Sequence, residues 1–189
     1  MDIGEKIQKI VKNIPENVKL VAVSKTKPND AIMEAYNAGQ RIFGENKVQD
    51  LTRKHEELPG DIQWHFIGHP QSNKVKYIAP FIDLVHGVDS LKLLKTIHKE
   101  GLKNNRIINC LLQFHIAEET SKFGLTLHEA KTLLESPDFK LLHFVSITGV
   151  MGMATYTDNE NQIKKEFSNL NQIFKALKKE YFANAENFR

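Results

Sequence analysis

Apolar positions along this chain alternate between two spacings. Ile3, Ile7, Ile10 and Ile14 recur at the period of an amphipathic helix, and Pro15 closes the pattern. Val18-Lys19-Leu20-Val21-Ala22-Val23 then reads as a near-continuous apolar strand, buried on both faces, that ends in the polar tip Ser24-Lys25-Thr26-Lys27-Pro28. Asn29 or Asp30 caps a helix that buries Ile32, Ala35 and Tyr36 and stops at Gly39. Arg41-Ile42-Phe43 is a short strand tipped by Gly44-Glu45-Asn46, and a helix carries Val48, Leu51 and Leu58 inward until Pro59-Gly60.

The same unit recurs. Ile62 to Phe66 is a strand leading into His65-Phe66-Ile67-Gly68-His69, and the next helix presents Val75 and Ile78 before Pro80. Phe81 to Val85 is a strand with His86-Gly87 at its tip. Asp89 and Ser90 cap a helix with Leu91, Leu94 and Ile97 that ends at Gly101. Arg106 to Phe114 is a strand, and Thr126-Leu127-His128-Glu129 has the spacing of a capping box for a helix through Leu134. Val145 to Val150 is tipped by Met151-Gly152-Met153. A final helix over 158–182 places Ile163, Phe167, Leu170, Phe174, Leu177 and Tyr181 on one stripe.

Strict alternation of strand and helix predicts an α/β fold with parallel strands and right-handed crossovers. The competing architectures are an open doubly wound sheet and a (β/α)8 TIM-type barrel. No glycine-rich phosphate fingerprint follows the first strand, which argues against a dinucleotide-binding sheet. A barrel takes eight units and about 250 residues, so at 189 residues the chain is read as one barrel domain with its last two units missing.

Composition narrows the function. Apolar content of 41% and charged content of 26% suit a soluble globular protein. A net charge of +3, without a basic run interleaved with aromatics, does not suggest nucleic-acid binding. No stretch reaches the length of a membrane span, and the N-terminus lacks the apolar core of a signal peptide. Cys110 is the single cysteine, inside an apolar run, and reads as a small buried hydrophobe. A cytoplasmic location is expected, and a monomer, because docking of the helices leaves no large apolar stripe.

Polar and glycine residues gather at the strand C-termini, the rim where barrel active sites lie. Lys25 stands first among them, because a partly desolvated amine attacks carbonyls. The competing reading is a lysine snorkelling from a strand end to water, for which Lys27 is the better candidate. Glu45 is read either as the partner of a lysine or as a solvated loop carboxylate. His65 and His69 share a spacing used for metals on helices, yet they lie on a strand end and a loop with no carboxylate or thiolate beside them, so no metal site is assigned. His55 and His128 are read as surface residues. Met151 and Met153 suit either a floor for a flat aromatic ligand or core filling. Glu118 and Glu119 lack a partner acid at glycosidase spacing.

Taken together, Ala22-Val23-Ser24-Lys25-Thr26-Lys27-Pro28, Phe43-Gly44-Glu45-Asn46-Lys47-Val48-Gln49, Trp64-His65-Phe66-Ile67-Gly68-His69, Gln71-Ser72-Asn73-Lys74, Val85-His86-Gly87-Val88-Asp89-Ser90 and Gly149-Val150-Met151-Gly152-Met153-Ala154 resemble the pyridoxal phosphate homeostasis protein family. The motifs are collinear from about Val18 to the final helix. The resemblance implies an alanine-racemase-like barrel that holds pyridoxal 5′-phosphate as a Schiff base on Lys25. It puts Asn46 on the cofactor side of the second strand's tip, and His65 and Met151 near the ring. It also implies a non-catalytic carrier or regulator of cofactor balance. The rival is a pyridoxal-phosphate-dependent amino-acid racemase, which needs a tyrosine or second lysine across the ring. Tyr36, Tyr77, Tyr156 and Tyr181 all fall in expected helices or a loop. A lysine aldolase without cofactor is a third possibility. Two departures stand out: Pro70 replaces an apolar residue of the family pattern, and the family's last two strands, with their serine-rich segment, Gly-Ser-Thr phosphate loop and arginine, have no counterpart in these residues.

Overall fold

The computed structural model describes residues 2–119 and 123–189. Six parallel strands form one sheet: β1 (Ala22–Val23), β2 (Ile42–Glu45), β3 (Gln63–Phe66), β4 (Leu84–Val88), β5 (Ile108–Phe114) and β6 (Val145–Gly152). Their order across the sheet is their order along the chain. A doubly wound sheet reverses its strand order at a switch point; this one never does, which is the winding of a barrel wall. Helix α1 (Ile3–Asn13) precedes the sheet, and α2 (Asn29–Asn37), α3 (Val48–Glu57), α4 (Val75–Ile78) and α5 (Leu91–Lys103) connect the first five strands. Helices α6 (Leu127–Glu135) and α7 (Pro137–Lys140) lie between β5 and β6, and α8 (Glu160–Glu180) follows β6. Beyond α8, the backbone N–H of Arg189 donates to the Thr148 carbonyl at 3.0 Å, alongside β6. Among the described residues no helix is long and apolar enough to cross a membrane.

Period-two alternation sorts the strand side chains onto two faces. On the helix-covered face, Phe43, Trp64, Phe66, Val85, Cys110, Leu112 and Phe114 are buried against Ile32, Leu51, Ile78, Leu94 and Ile97 of the helices. Burial of each such large side chain stabilises the fold by roughly 1.5–3 kcal/mol. The opposite face is the more open of the two: Val23 is 51% exposed and His65, His86 and Met151 are half-buried, although Gln113 is buried. Helix starts follow the expected capping chemistry. Thr126 and Glu129 form the capping box of α6, and Ser90 accepts a hydrogen bond from Leu93 N–H at the start of α5.

Several boundaries differ from the sequence reading. β1 is shorter than the apolar run that precedes it. β4 begins at Leu84 rather than Phe81, so His86 and Gly87 lie within the strand. Helix α5 continues through Gly101 to Lys103; a β-carbon at Gly101 would stand 2.7 Å from the Arg106 carbonyl oxygen, so this glycine serves close packing rather than termination. On α8, Phe167 is 47% exposed, whereas Glu166, Ile173 and Leu177 are buried. The short α7 carried no apolar period to reveal it.

Candidate functional site

Backbone pairing brings the strand tips into register. Val23 lies beside Gly44, Gly44 beside His65, and Gln113 beside Met151. The β1–β2 ladder runs one residue past β1, with Ser24 N–H donating to the Gly44 carbonyl at 3.0 Å. By alternation, Ser24 and Glu45 turn toward the helices and are buried, while Lys25 and Asn46 belong to the open face and are exposed. His65 and Met151, both half-buried, belong to that open face as well. The four residues singled out from the sequence therefore share one side and one end of the sheet.

Lys25 sits in a tight turn. The Lys27 N–H donates to the Ser24 carbonyl at 3.0 Å, and Thr26 has a φ of 64°. A positive φ at the third residue is the pattern of a type II turn, in which glycine is usual and a β-branched residue is an outlier. Beneath the turn, Lys54 of α3 reaches through the core: its Nζ donates to the Ser24 carbonyl at 2.9 Å and to Glu45 Oε1 at 2.6 Å. Ser24 Oγ donates to the same Oε1 at 2.7 Å. The Lys54 and Glu45 side chains are 2% and 0% exposed, and Glu45 Oε2 has no hydrogen-bond partner. Glu45 is thus the buried partner of a lysine, and not a solvated loop carboxylate.

His65 does not approach a metal-binding arrangement with His69. Its Nδ1 lies 3.0 Å from Nε2 of His86 on the neighbouring strand, whereas His69 is half-exposed and faces Asp89 at 3.4 Å. Burial pushes His65 down to about 4, with the like charge that His86 would carry once protonated and the ammonium of Lys19 adding to it; burial also pushes His86 down to about 4. Both rings are neutral at pH 7, one donating to the other. No cluster of three metal-ligating side chains occurs among the described residues. His55 is not the surface residue expected: it is half-buried and stacked on Phe81 at 3.7 Å between ring centroids.

The far end of the rim is tied by a carboxylate. Glu166 of α8 accepts from Thr155 N–H at 2.7 Å, Thr155 Oγ–H at 2.7 Å and Glu118 N–H at 3.1 Å, which joins the loops after β5 and β6. Burial is the largest influence on Glu166 and pushes its carboxyl up; the hydrogen bonds from Thr155, Glu118 and Gln162 outweigh it and hold the group at about 2.

Lys54 and Glu166 were missed by sequence reasoning, though each left a signal. Lys54 stands on the stripe of Val48, Leu51 and Leu58, and Glu166 stands on that of Ile163, Leu170, Ile173 and Leu177. A charged residue on the core-facing stripe of a helix marks a buried network.

Residues 2–187 match the family model for the alanine racemase N-terminal domain. A pyridoxal phosphate homeostasis protein of Aquifex aeolicus is 36% identical over 168 residues, which cover 86% of this chain and 71% of that protein. The chain belongs to the pyridoxal phosphate homeostasis protein family. A second member, from Helicobacter pylori, is 39% identical over 165 residues, covering 85% of this chain and 73% of its own. Among solved structures, PipY of Synechococcus elongatus with pyridoxal phosphate bound superposes with a TM-score of 0.85 at 31% identity, covering 94% of this chain and 82% of PipY. Alanine racemase from Bartonella henselae, at 16% identity and a TM-score of 0.66, shares the fold and covers 90% of this chain. The chain therefore shares the fold of the alanine racemase N-terminal domain, with six parallel strands in chain order.

Proposed function

We propose that this chain binds pyridoxal 5′-phosphate covalently through Lys25 and serves the intracellular balance of that cofactor without turning over amino acids. The observation that carries the reading is the position of Lys25 on the turn at the tip of β1, on the open face shared with Asn46, His65 and Met151. The name of the relatives and the cofactor bound in PipY support it.

The side chains present fit such a group. The amine of Lys25 would hold the cofactor through its aldehyde carbon, with loss of water. Asn46 offers a carboxamide that both donates and accepts. His65, neutral and backed by His86, offers an uncharged imidazole edge. Met151 offers a polarisable apolar surface for a flat ring. Gly68 lets the backbone close on Asn46, since a β-carbon there would lie 2.8 Å from the Asn46 carbonyl oxygen. When bound, the cofactor supplies an electron-withdrawing ring. A racemase would need a second proton-transferring group. Tyr36 is engaged by Asp61 and Tyr181 by Glu135, Tyr77 lies on α4, and Tyr156, 98% exposed, points to solvent from the loop after β6. The reading extends to a cytoplasmic monomer.

The test is a visible absorption spectrum with added pyridoxal phosphate on wild type and Lys25→Ala. A borohydride-sensitive adduct band in the wild type alone is expected. No band in a folded wild type would overturn the assignment, and conversion of L-alanine to D-alanine by the loaded protein would overturn the non-catalytic reading.

A further inference from the structure

Lysine is almost never fully buried unless paired, and Lys54 is 2% exposed with its ammonium directed at one backbone carbonyl and one carboxylate. The carbonyl is that of Ser24, which also closes the Lys25 turn by accepting from Lys27 N–H. The turn is strained, because Thr26 holds a left-handed backbone that a β-branched residue resists. Such a conformation persists only when its surroundings over-determine it. The surroundings here are the Lys54 ammonium and Glu45, whose contacts both fall on Oε1 while Oε2 is left buried without a partner. A hydrophobic pair in these positions would avoid the cost of burying two charges, so the pair is not explained by stability alone.

We propose that Lys54 is a positioning residue for Lys25: its buried ammonium, braced by Glu45, clamps the Ser24 carbonyl and keeps the Ser24–Lys27 turn in the strained form that presents the Lys25 amine. This rests on the reading of Lys25 as the cofactor-bearing lysine. Lys54 does not touch the cofactor; it acts through the backbone of the turn.

The test uses the full chain carrying Lys54→Met together with Glu45→Gln, which removes both charges at nearly constant volume and leaves an acceptor for Ser24 Oγ–H. Three quantities are measured: hydrogen exchange at the Lys27 amide, acylation of Lys25 in cofactor-free protein by mass spectrometry, and affinity for pyridoxal phosphate. Release of the turn should speed exchange at Lys27 and weaken affinity, each by about tenfold, and change Lys25 acylation while circular dichroism stays native. Adding Thr26→Gly should restore much of the loss, because glycine adopts the turn without a clamp. Leu177→Ala, a core truncation on α8, should lower the melting temperature and leave all three quantities unchanged. Wild-type exchange and affinity in the folded double variant would overturn the proposal, as would absence of rescue by Thr26→Gly. Should the double variant fail to fold, Lys54→Gln together with Glu45→Gln, two neutral amides of which the one at position 54 is one bond too short to reach the Ser24 carbonyl, carries the same expected losses and the same overturning result. If the wild type forms no adduct at Lys25, the cofactor reading fails, while exchange at Lys27 still judges the clamp.

Discussion

The imidazoles of His65 and His86 meet edge to edge, with 3.0 Å between Nδ1 of one and Nε2 of the other, on adjacent strands of the open face. The contact needs one ring nitrogen free to accept, so it is lost once both rings are charged.

Acid should therefore weaken the fold through this pair. Both rings are held down at about 4, against an ordinary value of 6.5, chiefly by burial. An unfolded chain takes up these protons below pH 6.5, and the folded chain refuses them until about 4. The contribution of the pair is complete above 6.5 and is lost as pH falls toward 4. His55, lowered by burial, adds in the same direction. Urea midpoints at a series of pH values should fall across that window, and the slope should shrink in His65→Gln/His86→Gln; an unchanged slope would refute the assignment.

Breaking the buried ion pair from one side should be costly. Lys54→Met alone strands the Glu45 carboxylate among apolar neighbours and is expected to destabilise the chain by about 3–5 kcal/mol. Pairing it with Glu45→Gln should recover a large part of that loss. Equal urea midpoints for the single and double variants would contradict it.

Gly68→Ala tests the closeness of two strand tips. The added methyl would sit 2.8 Å from the Asn46 carbonyl oxygen and 3.1 Å from its Cα, and backbone has no rotamer with which to yield. A cost of about 1–3 kcal/mol is expected, with weaker binding of pyridoxal phosphate as Asn46 moves. Gly60→Ala, with nothing within 4 Å of the new carbon, is the control and should change neither.

Glu166→Gln should loosen the rim. The neutral amide replaces one acceptor oxygen with a donor, facing the N–H of Thr155 or of Glu118. Lower melting temperature and faster proteolysis within 153–159 are expected at pH 7. Because the folded carboxyl is held at about 2, below its ordinary 4.5, the wild-type advantage is present above 4.5 and narrows as pH falls toward 2.

Much of the molecule was legible from spacing. Helical periods found most of the helices, apolar runs found the strands, and strict alternation gave a parallel α/β arrangement, with the absent phosphate fingerprint favouring a barrel over a doubly wound sheet. Strand alternation places Lys25, Asn46, His65 and Met151 on one face of the sheet, at the ends of their strands. What the pattern could not convey was depth. Period-two alternation says that Ser24 and Glu45 face away from Lys25, but not that a lysine from α3 lies behind them. Boundaries blurred for a related reason, as at Gly101, where a neighbouring carbonyl rather than local conformation selects glycine. The His65–His86 contact needed strand register, which no local window contains.

The order of the strands has one more consequence. Each strand lies beside the one before it in the chain, across a single connecting segment. Among these six strands the connections run from 17 residues (46–62) to 30 (115–144), and because loop-closure entropy grows only with the logarithm of length, each pairing costs a similar amount. A chain emerging from the ribosome can zip its wall together one unit at a time, in the direction of synthesis.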